Sequence, residues 1–600
     1  MKLNEQVVSY LYIVVLVFTF IAGPSVMAKG EAPIAQEIRA IDLELKDILS
    51  NKFPIKASQL GIKPLQLPLN FETNEQTLPK IDALLKRLNQ VTEKKLGNDK
   101  LLQILESDLL RLKAEFSIPQ PMLELGPNLS ELDQLFILGS GNSEWRFNSV
   151  EDYELWLDRL KAFPAVVERS QQRLLIGVES KLLPSRTVVE NELRILKQHL
   201  VPSYENSLLY APITKMPRQF LANQKQYLIL QYSKVIDSQV LPALSSYIAF
   251  IENDYLPLLE EHSWYRQVDD SLFEKHLQEA MLKDQTMDAL MSQALTDIDR
   301  LSRSFSELRK AHSDASSDQD FYQTILSNQW RPVSDVQSTQ IELVNWLKSI
   351  HKQLPKLFNH FPRSTLNLTF QARVGAPVFR YSAAQMQPVR AATLQLNWIS
   401  PATANHALLK PLVVVEGSPG RHFQYSLAQE FAPDLSYRAL LPKAAIELGW
   451  SLYALTLVDE LQAFDSYSEV GVVLNQLMAS AQLVAIIAQH QRGWSSESVE
   501  RLLRQTLPLS EQDISQLVHS TLVSPGLLAQ RAAAEAALRQ LRQRAEIALK
   551  GHFNLADFHG VILTQGNLSI PLLEQAVDHW IDEQRQLILE RESQEKSEAE

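Results

Sequence analysis

Cysteine is absent from this 600-residue chain. Disulfides, thiol catalysis, thiolate metal sites and a lipid-modified N-terminal cysteine are excluded together. Glycine is scarce at 18 residues, while Leu, Ala, Gln and Glu abound, a balance that favours helices over sheets. Positive charge is also short: 58 Lys and Arg against 70 Asp and Glu give a formal charge of -12. The basic residues are scattered and form no arm, so a nucleic-acid partner has no electrostatic support. Beyond residue 23 no segment reaches about 18 uninterrupted apolar residues, and the remainder is expected to be soluble.

The one long apolar run, Val7 to Gly23, is broken only by Ser9 and Thr19 and follows a weak positive charge at Lys2. Pro24 ends it, and Val26-Met27-Ala28 offers small residues for cleavage before Lys29. Residues 1–28 are therefore expected to be a signal peptide. The run is long enough that residues 7–23 could instead stay as an uncleaved anchor, the only membrane contact expected. An exported, disulfide-free chain of this kind is expected in the periplasm, or facing it from the inner membrane.

From Ala32 to about Leu354 apolar residues recur at three- and four-residue spacing, as in Ile34, Ile38, Ile41, Leu45 and Ile48. Further helices are expected over Leu78–Leu96, Leu101–Glu115, Val150–Ala165, Val167–Leu200, Phe220–Leu258, Leu272–Arg309 and Phe321–Leu354, with Pro and Asn-Gly-type breaks between several of them. After Pro362 the period changes. Thr365–Phe370 and Thr393–Trp398 alternate polar and apolar, which suits half-buried strands. Helical spacing returns at about Leu408 and runs to about Leu589. The expected organisation is a helical N-terminal region over 29–355, a C-terminal region over 356–589 and a charged tail over 590–600. The fold class expected is mainly α, with a small β element around residues 365–398.

The chemistry concentrates at Val415-Glu416-Gly417-Ser418-Pro419-Gly420-Arg421-His422-Phe423-Gln424. This has the frame of a zinc-hydrolase motif, His-Glu-x-x-Pro-Gly-His-His-x-Gln, with its metal-binding letters altered. Valine has no lone pair to donate, and arginine stays cationic and repels a metal ion. Three later segments accompany it: Glu447-Leu448-Gly449-Trp450-Ser451-Leu452-Tyr453-Ala454; Gln482-Leu483-Val484 with His490 and Gly493-Trp494; and Ser524-Pro525-Gly526 followed by Phe553–His559 and Leu563–Gly566.

In order and spacing, these four segments resemble the bacterial domain of unknown function 885 family, large helical proteins similar to zinc metallopeptidases of the gluzincin kind. The match is close from roughly Leu408 to Trp580. The resemblance implies a zinc-peptidase-like fold and places a metal-ligand His at Val415, the general-base Glu at Glu416, and paired His at Arg421 and His422. It places a ligand Glu at Leu448, one residue after Glu447. The Arg and Asp of its third motif fall on Gln482 and Ile486, and an oxyanion-donor Tyr falls on Arg531. The scaffold letters Pro419, Gly420, Gly449, Trp450, Trp494, Pro525, Gly526 and Phe558 persist while most chemistry letters do not.

Losing two of the side chains that would bind the metal directly removes most of an affinity of order 10 kcal/mol. The resemblance thus implies an exported pseudo-metallopeptidase without zinc, acting by peptide or protein binding. Glu416 keeps the general-base position and Arg531 an altered oxyanion position; Arg421, Gln424 and Trp450 are the candidate binding residues. Without a metal, Glu416 is expected to pair with Arg421 across the Pro-Gly turn. Arg421 and Arg531 together would suit a peptide carboxylate. Two alternatives stay open: an active zinc peptidase with His422, Glu447 and His490 as rearranged ligands, and a structural or assembly role for the N-terminal helices. His490 and His559, beside Trp494 and Phe558, are expected to be buried structural histidines.

Overall fold

The computed structural model describes residues 31–599 except 61, 63–71, 93–99, 118–130, 142–144, 146, 180–182, 185, 260–269, 328–334, 372–377, 387–388, 399–404, 432–434, 442–444 and 463. The expected signal peptide lies outside the described residues.

Helices dominate, and the chain is mainly α with a small sheet as its composition and periodicity predict. The first stripe forms the helix Glu31–Lys52, with Ile41, Leu45 and Leu49 fully buried. Asn74–Thr92 packs beside it, and Lys100–Phe116 packs on Asn74–Thr92. The helix expected to end near Ala165 instead continues as Val150–Glu179 through Pro164. Proline costs a backbone donor, but the apolar face runs unbroken from Tyr153 and Trp156 through Phe163 and Val167 to Leu174, and its burial outweighs that cost. Where one helix was expected over Leu272–Arg309, two form, Asp270–Gln278 and Met287–His312, the second capped by the Thr286 side chain accepting from Ala289 N–H.

The two expected strands exist as Leu366–Gln371 and Ala392–Asn397, paired in parallel from Leu366↔Ala392 to Gln371↔Asn397. A third strand, Phe379–Ser382, pairs antiparallel on the other edge of Ala392–Asn397 with Tyr381 opposite Leu394. The central strand buries Ala392, Leu394 and Leu396 completely.

One apolar core takes in the helices between Ile38 and Phe116, the sheet and most of the chain from Leu409 to Ile581. Residues Leu132 to Leu259 build a second core. A third joins Leu301, Phe305 and Phe321 to Val470, Leu474 and the helices through Leu522. In the second, the buried Arg159 guanidinium lies over the Trp145 and Trp156 rings at 4.4 and 4.7 Å. The helix Ser466–Arg492 is long and apolar enough to cross a membrane, but 72% of its apolar window is buried inside the protein.

Helices approach closely where small residues allow it. A Cβ on Gly449 would stand 2.5 Å from the Ala534 Cβ and 2.8 Å from the backbone of the same helix turn. This fixes Ala445–Tyr453 against Pro525–Leu549 and thereby sets the back wall of the motif region.

Candidate functional site

The first motif is a helix–turn–helix reversal. His406–Glu416 starts on the Asn405 side chain, which accepts from Ala407 N–H at 2.8 Å, and ends at Gly417. The Ser418–Pro419 peptide is cis, and Gly420 opens the next helix, Arg421–Glu430. A side chain on Gly420 would collide with the Val414 and Val415 carbonyl oxygens, so only glycine lets the chain fold back so tightly. The turn is held by Gly420 N–H donating to Val414 O at 3.1 Å and His422 N–H to Gly417 O at 3.0 Å.

This reversal lays Arg421 back over Glu416. The Arg421 Nη1 forms an ion pair with Glu416 Oε2, as the sequence spacing predicts. Its Nε lies 3.7 Å from Glu447 Oε1, which comes from the second motif helix. All three side chains are nearly buried, at 12%, 5% and 7% exposure. The guanidinium therefore stands between two carboxylates. Arg531, half-buried on the Pro525–Leu549 helix, completes the group. Burial lowers its pKa, the Glu416 charge opposes that shift, and the Arg421 charge adds to it. Val415 is buried beside them.

His422 bonds into a polar seam with the sheet. Its Nε2 bonds to the Ser364 carbonyl oxygen at 3.2 Å, which requires Nε2–H, so Nδ1 accepts from Tyr381 O–H at 3.1 Å. Burial pushes its pKa down to about 4. Both ring nitrogens of the neutral imidazole are thus engaged. Tyr381 and Tyr425 are raised above the usual tyrosine pKa, chiefly by burial; each also feels Glu447.

The remaining candidates are dispersed. Gln424 is buried and donates from Nε2 to Asn567 Oδ1 at 2.8 Å. Asn567 also accepts from Arg438 through its backbone oxygen, and Arg438 Nε lies 3.0 Å from Asp108 Oδ2 in the N-terminal half. Trp450 is wholly buried and donates its indole N–H to Pro419 O at 2.8 Å. His490 is buried and stacked on Phe273 with ring centroids 4.0 Å apart. His559 bonds Leu357 O at 2.8 Å through Nδ1 and accepts from Tyr453 O–H at 3.1 Å, and burial pushes its pKa down to about 3. The structure brings Glu416, Arg421, Glu447 and Arg531 together. It does not bring His422, Glu447 and His490 together: among the described residues no three His, Asp or Glu side chains are grouped to hold a metal ion.

Sequence reasoning missed Tyr381, Ser364 and Asn567. None belongs to a motif; each reaches the site only through the tertiary fold, and the four-residue strand bearing Tyr381 is too short for an alternation signal.

A mainly helical chain built around a reversed helix pair, with arginine between its motif carboxylates, is the class that fold and site define. The chain belongs to the family of bacterial proteins of unknown function DUF885, whose model matches residues 54–577. Two solved structures share the fold. A "putative lipoprotein" from Colwellia psychrerythraea superposes with a TM-score of 0.81 at 17% identity, over 92% of this chain and 100% of that one. A "putative lipoprotein of unknown function" from Shewanella oneidensis gives 0.59 at 15% identity, over 90% and 99%. No curated protein matches the chain.

Proposed function

We propose that this protein is an exported, catalytically silent relative of zinc metallopeptidases of the gluzincin kind, and that it acts by binding a peptide or protein. The observation that carries this is Arg421, whose guanidinium lies between Glu416 and Glu447. A divalent ion there would have to displace a cation that two buried carboxylates already neutralise. Breaking such a pair costs about 3–5 kcal/mol before any metal bond forms. The donors that could repay it are missing: Val415 offers none, and both nitrogens of His422 are engaged elsewhere. The residues present do not fit zinc.

The remaining chemistry of the group is recognition. Arg531 has no hydrogen bond or ion pair among the described residues, is half-buried, and lies within electrostatic reach of Glu416 and Arg421. A free guanidinium so placed suits a carboxylate, such as a peptide C-terminus. Export rests on the apolar run of residues 7–23, either cleaved after Ala28, which releases the chain to the periplasm, or retained as an inner-membrane anchor. The two structural relatives are described as lipoproteins; this chain has no cysteine to carry a lipid.

The alternative ligand set of His422, Glu447 and His490 draws no support from a histidine bonded at both nitrogens and another stacked on Phe273. A peptidase assay on purified residues 29–600, with and without a chelator and with Glu416→Gln, tests the proposal. No chelator-sensitive hydrolysis is expected from either protein. Hydrolysis abolished by both the chelator and Glu416→Gln would overturn it.

A further inference from the structure

A half-open cleft of ≈ 750 Å³ lies between the helices Met287–His312, Ser466–Arg492 and Pro525–Leu549 and the segment 445–457. It is within the size range of about 300–1,000 Å³ typical of ligand sites. Glu416, Arg421, Glu447 and Arg531 do not line it. It is a separate feature of the molecule, walled on its far side by the same two helices that carry Glu447 and Arg531.

Its floor is apolar: Leu301, Leu452, Leu455, Val472 and Leu483 all lie at or below 6% exposure. Its charged groups sort into two sets. In the first, Arg539 donates to Glu535 Oε1 at 2.6 Å and to Asp297 Oδ2 at 2.7 Å, and Arg300 donates to Asp297 Oδ1 at 3.2 Å. Two guanidiniums and two carboxylates are thereby neutralised within the wall. The second set is Glu307 and Glu469, which also line the cleft but have no ion pair among the described residues. Glu469 sits in the first turn of its helix, where the positive helix end favours a carboxylate. Glu307 is exposed five residues before the C-terminal end of Met287–His312 and has no such support. The cleft therefore carries two unneutralised carboxylates above an aliphatic floor. An anion entering it is repelled; a cation on an apolar stem gains from both features.

We propose that this cleft docks a peptide segment presenting a lysine- or arginine-type side chain next to aliphatic ones, with Glu307 and Glu469 receiving the cation and the leucine floor receiving its neighbours. The inference rests on the peptide-binding reading above and adds to it a place and a charge preference.

Three dye-labelled probes, N-acetylated and C-amidated so that only the central residue differs in charge, test it by fluorescence anisotropy: Gly-Leu-Lys-Leu-Gly, Gly-Leu-Glu-Leu-Gly and Gly-Leu-Leu-Leu-Gly. The Lys probe is expected to bind residues 29–600 at least about 10-fold more tightly than the Glu probe, with the Leu probe between. The preference is expected to shrink in high salt and to vanish in Glu307→Gln/Glu469→Gln. Both substitutions preserve side-chain volume, and an unchanged melting temperature confirms that the variant is folded. Equal binding of the three probes, no binding of any, or a preference that survives in the double variant overturns the inference. Failure here with no chelator-sensitive hydrolysis removes only the cleft. A Lys preference together with such hydrolysis removes the silent-enzyme reading and leaves the cleft standing.

Discussion

The Trp450 indole N–H donates to the Pro419 carbonyl oxygen over 2.8 Å, joining the second sequence motif to the turn of the first. The indole is fully buried among Phe358, Tyr453 and His559. This bond keeps the turn seated on the helix that presents Glu447. Trp450→Phe leaves a buried carbonyl without its donor, and a loss of about 1–3 kcal/mol is expected. Urea unfolding of the variant against the parent measures it.

Arg421 neutralises two buried carboxylates, so its removal is expected to cost far more than a surface ion pair. Arg421→Met should destabilise by about 3–5 kcal/mol because Glu416 and Glu447 are left without their counter-charge. Adding Glu416→Gln to Arg421→Met should recover part of that loss. The double-mutant cycle reads the coupling directly; additive losses would mean that the pair does not interact energetically.

Gly449 faces Ala534 with no space for a methyl group. Gly449→Ala is expected to destabilise by about 1–3 kcal/mol through overpacking. Ala534→Gly should not rescue it fully, because backbone atoms of the same turn also lie 2.8 Å from the added carbon. Thermal unfolding of the single and double variants distinguishes a side-chain clash from a backbone one.

A half-buried carboxyl and a buried imidazole give opposite pH dependences. Burial raises the Glu279 carboxyl to about 7, with Arg111 opposing and Asp108 reinforcing the shift. The folded state holds that proton more tightly than the unfolded one, so its contribution to stability is present below about pH 4.5 and lost as pH rises through 7. His559 is depressed to about 3 by burial, with its Leu357 bond opposing and the nearby Arg542 charge reinforcing the shift. Its contribution is present above about pH 6.5 and lost as pH falls towards 3. Glu279→Gln should therefore raise stability at pH 7 relative to pH 5, and a stability profile that keeps its slope in the variant would contradict the assignment.

Much of the fold was legible because burial writes itself into periodicity. The stripe from Ile34 to Ile48 and the alternation at Thr365–Phe370 and Thr393–Trp398 each mark a face that the structure buries. The end expected near Ala165 does not form because the local cost of Pro164 is small against an apolar face continuous from Tyr153 to Leu174. At the site, the Glu416–Arg421 pair could be read from a five-residue spacing across a Pro-Gly turn. The second carboxylate, Glu447, could not be joined to it, because that contact depends on how the helix Ala445–Tyr453 packs on Arg421–Glu430 in the tertiary fold. Trp450 and Gln424, expected to line a binding surface, lie buried in contacts with Pro419 and Asn567. Glu307 and Glu469 belong to no motif, and their cleft exists only as the space left between helices that the tertiary fold brings together.

The central claim proposed here is that Arg421, paired with Glu416 and Glu447, leaves no place for a metal ion beside them. Metal content of purified residues 29–600, equilibrated with excess zinc and then desalted, tests it most directly. The account predicts zinc far below one ion per chain, unchanged by Glu447→Gln. One tightly held zinc per chain, lost in Glu416→Gln or Glu447→Gln, would contradict it.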